Sequence, residues 1–175
     1  TTDHEGVVID RYRLLHHERL AIPLLHVRKR SGASPRAVIE FGLEGKAGPA
    51  QWRSLLEHVN AGGDVLSFDP RGLGETRMHY RTAAGEDPVA ANALSSALAN
   101  LVYNAQLLGR PYPLEMVEDV EIVARSARER LGMLPPPVAG PGEAGAVAAL
   151  AADVLGLEAL TSKELDWWSK AVDDG

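Results

Sequence analysis

Three times in this chain a short apolar run ends in a glycine-rich turn. The runs are Ala37-Val-Ile-Glu-Phe41 before Gly42-Leu-Glu-Gly-Lys-Ala-Gly48, Asp64-Val-Leu-Ser-Phe-Asp69 before Pro70-Arg-Gly-Leu-Gly-Glu-Thr76, and Pro135-Pro-Pro-Val-Ala139 before Gly140-Pro-Gly-Glu-Ala-Gly145. Helical patterns stand between them, so strand and helix alternate from residue 37 onward, which implies right-handed βαβ crossovers and a mainly parallel sheet. The expected class is α/β, a three-layer sandwich. In an open parallel sheet the turns after the strands collect at the carboxyl ends, where ligands bind.

The helical patterns are explicit. Trp52, Leu55, Leu56 and Val59 fall at i, i+3, i+4 and i+7, and Ala61-Gly-Gly63 stops that helix. Leu94, Leu98, Leu101, Ala105 and Leu108 predict a second helix. Val117, Val120, Ala124, Ala127 and Leu131 predict a third from about Pro113, with its acids early and its arginines late, as the helix dipole favours. Ala144 to Ala152 reads as a fourth helix, Val154 to Leu160 as a strand, and Ser162 to Val172 as a last helix, with one tryptophan of Trp167-Trp168 packed and one half exposed. The polar stretch from Arg77 to Pro88 is expected at the surface.

Residues 1–35 follow another rule. Two β-rich runs between Val7 and Lys29 flank the polar patch His16-His17-Glu18-Arg19, which predicts an antiparallel hairpin ahead of a βαβ core over 36–175. Pro23 cannot donate to a ladder and is expected at an edge. Adjacent strand residues face opposite sides, so His16 and His17 cannot readily share a metal; a solvated turn is expected, and no metal site.

At 175 residues the chain can form one domain, burying about 70% of its unfolded surface. A net charge of −6 argues against nucleic acid as a partner. No apolar run approaches the roughly 18 residues of a spanning helix, so no membrane partner is expected. The absence of cysteine excludes disulfides, thiolate metal sites and a cysteine nucleophile.

The segment Val65-Leu-Ser-Phe-Asp-Pro-Arg-Gly-Leu-Gly-Glu-Thr-Arg77 resembles the D-x-R-G-x-G-x-[ST] motif that follows a central strand in α/β-hydrolases, especially the acetylxylan-esterase and dienelactone-hydrolase-like branch. The hairpin with AIPLLHV, the AVIEFGLEGKAG stretch and the long helix ending in RERLG fit that layout, and the resemblance spans essentially the whole chain. It implies a partial α/β-hydrolase fold and a carboxylic ester hydrolase acting on a small ester or acetylated carbohydrate, without a cofactor. Backbone N–H groups near Gly42 to Gly45, and the one at Glu143, would form the oxyanion site. Asp69, Arg71, Gly72 and Gly74 would shape and brace the second loop, Arg71 and Lys46 through hydrogen bonds to carbonyls or carboxylates.

The same resemblance makes Gly140-Pro-Gly-Glu-Ala144 the nucleophile elbow, usually G-x-S-x-G. Its central position is Gly142, which has no side-chain oxygen to attack an ester. Glu143 is ionisable but one residue out of register. The six histidines end at His79, so no imidazole follows the elbow, where the general base of this fold belongs. The chain is therefore expected to be either a non-catalytic relative or the first part of a longer protein, with an oligomer or the remaining half of the fold as its partner. A rival reading stays open: Gly140-x-Gly142-x-x-Gly145 satisfies a dinucleotide fingerprint, with Glu158 in reach of a ribose hydroxyl. A third is a scaffold or partner-binding domain.

Overall fold

In the computed structural model the described residues are 1–4, 6–16, 20–46, 48–77 and 97–160. Six strands, β1 (Thr2–His4), β2 (Val7–His16), β3 (Leu20–Lys29), β4 (Ala37–Glu40), β5 (Asp64–Phe68) and β6 (Val138–Ala139), form one mixed sheet in the order β1-β2-β3-β5-β4-β6. β2 and β3 make the antiparallel hairpin, and β3 joins β5 antiparallel; the strands after residue 36 pair in parallel, β5 with β4 and β4 with β6.

The chain goes from β4 to β5 on one side of β4, then returns to β6 on its other side. Right-handed crossovers made in opposite directions put their helices on opposite faces of the sheet. Accordingly α1 (Pro49–Asn60) packs its Leu55 and Val59 on Leu25, Val27 and Val65. On the other face α3 (Tyr112–Leu131) and α4 (Ala144–Leu155) cover Leu24, Ile39, Phe41, Leu66 and Phe68. Odd and even residues of β3 and β5 thus serve different cores, the period-2 rule of a strand buried on both faces. Phe41 and Phe68 meet with ring centroids 5.3 Å apart. α2 (Ala97–Leu107) precedes α3, and its Ala105 is buried in the same core.

Two sequence expectations fail. Val154 to Leu160 is not a strand: Val154 and Leu155 finish α4, Gly156 ends it at φ +65°, and among the described residues one parallel bridge from Ala159 to Val138 is the pairing that follows. A left-handed glycine is a common helix stop, and it overrides the β-branched signal here. Pro23 does not lie on an edge strand, because β3 is flanked by β2 and β5. It is tolerated because the ladder to β5 ends one residue earlier, at Leu24 and Phe68, leaving only the Pro23 carbonyl to accept from Asp69 N. His17, His79, Leu94, the stretch after Arg77, the last helix and Trp167-Trp168 lie outside the described residues.

Candidate functional site

The order of the strands reverses at β4, and the turns after β4, β5 and β6 emerge beside that switch point. A Cβ built on Gly42 would lie 3.8 Å from Pro141 Cγ, and one on Gly45 would lie 3.2 Å from Gly74 Cα. The three turns are therefore neighbours.

Buried charge holds the first two together. Asp69 is 1% exposed and accepts from Lys46 N and Lys46 Nζ, both at 2.6 Å, and from Glu75 N at 2.9 Å. Lys46 Nζ also donates to Glu75 Oε1 at 2.6 Å, so its ammonium is fully engaged between two carboxylates. Gly74 is fixed by this arrangement: its φ is +53°, and an added Cβ would come within 2.3 Å of the Asp69 carboxylate. Gly72, at φ +80°, makes the preceding bend.

Arg71 ties the second loop to α3. Its backbone N–H donates to Asp119 Oδ2 at 2.8 Å, and Nε and Nη2 donate to Oδ1 at 3.0 and 2.7 Å. Nη2 also reaches Glu118 at 3.2 Å, and the Tyr112 hydroxyl donates to the Arg71 carbonyl. Burial pushes the Asp119 carboxyl above its ordinary range, while the bonds from Arg71 pull it back. The sequence marks Asp119 only as an acid in an early helical turn; the pairing across 48 residues has no local signal.

The third turn is built differently. Gly140 lies so close to α4 that an added Cβ would sit 2.7 Å from the Ala144 backbone, so strand and helix touch through their smallest residues. Gly142 has φ +55°, is exposed, and has nothing within 4 Å of where its Cβ would be. Glu143 is exposed at the N-cap of α4 and makes no side-chain capping bond. Glu158 is set by the backbone: Val138 N donates to its carbonyl and Leu160 N to that of Val138, which places Glu158 beside Val138, two residues before Gly140.

A second polar cluster, beneath the first turn, escaped the sequence analysis. Glu40 is fully buried on the α1 face of β4, with Ser54 Oγ donating to its Oε2 at 3.0 Å and His58 Nε2 3.6 Å from the same oxygen. The available signal was a glutamate inside an apolar run. Far from the turns, His26 Nε2 and Asp64 Oδ2 form a buried contact of 2.7 Å.

No family model matches the sequence, and no curated protein matches it. Solved structures do. An esterase from an Arctic intertidal metagenomic library aligns with a TM-score of 0.62 at 18% identity, over 86% of this chain and 56% of that one. A putative acetyl xylan esterase from Bacteroides fragilis gives 0.64 at 13%, over 86% and 42%. A dienelactone hydrolase from Anabaena variabilis gives 0.51 at 11%, over 85% and 58%. The fold is that of the α/β-hydrolases. The chain spans about half the length of these structures.

Proposed function

We propose that this chain is an esterase-type α/β-hydrolase domain whose elbow keeps its bend and has lost its nucleophile, so that it does not hydrolyse esters through an acyl-enzyme. One observation carries the reading. Gly142 occupies a left-handed, exposed position between a strand and a helix that meet through Gly140 and Ala144, the backbone an exposed nucleophile requires, without an atom that could attack.

By analogy with the α/β-hydrolase fold, the turns beside the switch point would receive a small ester or acetylated carbohydrate, with backbone N–H groups near residues 42 to 45 and at Glu143 facing its carbonyl. The similarity to acetyl xylan esterases supports that ligand class. The dinucleotide reading is weaker, since Pro141 and Glu143 put a rigid ring and a negative charge where a pyrophosphate would rest.

Steady-state assay with a chromogenic acetate ester tests the proposal. Release of chromophore at the buffer rate is expected, and saturable turnover above it would overturn the reading. Thermal melts with NAD separate the rival, because a ligand of the folded state alone raises its melting temperature. No shift is expected.

A further inference from the structure

Gln51, Ser54 and His58 lie at i, i+3 and i+7 of α1 and so form one polar stripe beside the apolar stripe of Leu55 and Val59. Ser54 and His58 face the buried Glu40 side chain, and Gln51 Nε2 donates to the Glu40 carbonyl at 3.3 Å and to Ser67 Oγ at 2.9 Å. Two acceptors in this region, Glu40 Oε1 and Gln51 Oε1, are buried without a hydrogen-bond donor among the described residues. An ionised Glu40 would leave a buried charge with one hydrogen bond; the carboxylic acid removes the charge and adds a donor.

The contacts run on to the first glycine turn. Ser67 Oγ donates to the Lys46 carbonyl at 2.9 Å, and Gly42 lies against Gln51, whose Oε1 would be 2.6 Å from an added Cβ. We propose that Glu40 is a proton-operated clamp: as the neutral acid it holds α1 and the turn of residues 42–46 against the sheet, and loss of its proton with rising pH loosens both.

The electrostatics agree with the geometry. Burial pushes the Glu40 carboxyl up to about 7, against the Ser54 hydrogen bond and with help from Glu57. Burial pushes the His58 imidazole down, against the pull of Glu57. Both shifts favour the neutral forms, so the 3.6 Å contact is weaker in ion-pair character than two groups of ordinary pKa would make it. Glu57 of α1 is the charged group that acts on this carboxyl and His58 of α1 the titratable group beside it; its partners across the sheet, Ser67 and Ala139, carry no charge.

The direction follows from linkage. An acid with its pKa raised on folding keeps its proton in the native chain where the unfolded chain has lost it, so stability is full below about 4.5 and falls as pH rises through about 7. That interval corresponds to roughly a hundredfold in the folding equilibrium constant. The test is urea unfolding of wild type and Glu40→Gln from pH 4.5 to 8, with hydrogen exchange of the same proteins. Equal stability at pH 4.5 and roughly a hundredfold advantage for Glu40→Gln at pH 8 are expected. Protection of the Gly45, Lys46 and α1 amides should fall with pH in wild type alone. A pH-independent difference, or wild type gaining on the variant as pH rises, would overturn the clamp. If Glu40→Gln does not fold, carbon NMR titration of the wild-type Glu40 carboxyl decides: a midpoint near 7 supports the clamp and one in the ordinary carboxylate range refutes it. His58→Gln removes an imidazole whose depressed pKa makes stability rise with pH up to about 6.5, so the variant should keep the wild-type fall above that pH; loss of the fall would overturn the clamp.

Discussion

The turn after β5 and the turn after β6 are both glycine-rich and lie close together, yet they are held in opposite ways. In the first, nearly every polar group is committed: Asp69 takes three N–H donors, Arg71 is locked onto Asp119, and Gly74 leaves no room for a methyl group. In the second, Gly142 has open space around it and Glu143 points to solvent without a capping bond. The braced turn belongs to the scaffold, and its residues answer to one another. At the open turn the Gly142 and Glu143 side-chain positions meet no partner among the described residues, as a position facing a ligand would. A substitution can remove function from an open position without disturbing the fold, whereas the braced turn tolerates little change. Under the proposed function, that difference lets the fold keep its structure while the elbow position lacks a nucleophile.

The contrast predicts a ranking of mutational effects. Arg71→Ala should be the most damaging, at about 3–5 kcal/mol in urea unfolding, because it leaves the fully buried Asp119 without its cation. A loss below about 1 kcal/mol would mean that Asp119 has other means of support and that the two turns are not so different. Gly74→Ala should cost about 3 kcal/mol, from the collision with Asp69 added to a left-handed backbone. Gly142→Ser carries only the left-handed penalty, about 1 kcal/mol, since its side chain meets no neighbour. Thermal melts should therefore rank the two glycine variants well apart; equal losses would erase the distinction. Glu143→Ala should change stability by less than about 0.5 kcal/mol, as for an exposed side chain without a partner.

Much of the fold was legible because burial imposes periodicity. The stripe of Trp52, Leu55, Leu56 and Val59 and the antiparallel pairing of β2 with β3 could be read directly, as could the parallel pairing implied by alternation after residue 37. Failures arose where one residue decides against the local pattern: Gly156 ends α4 and prevents a strand, and the early end of the β5 ladder admits Pro23 to an interior strand. At the candidate site the glycines were visible, since a turn advertises itself locally. Their restraints were not, because Arg71 with Asp119 and Asp69 with Lys46 are joined only by folding. Glu40 was hidden for another reason. A polar stripe interleaved with an apolar one looks like a solvated helix face until the strand beneath it is known.

The central claim is that the elbow holds a bend without a nucleophile. Its most direct test is the intact mass of the protein during incubation with an activated acetate ester, sampled before and after steady state. The account predicts no saturable acetyl adduct on residues 140–145 and no initial burst of leaving group. A stoichiometric adduct there that forms and then turns over, and that is lost in Glu143→Gln, would contradict it.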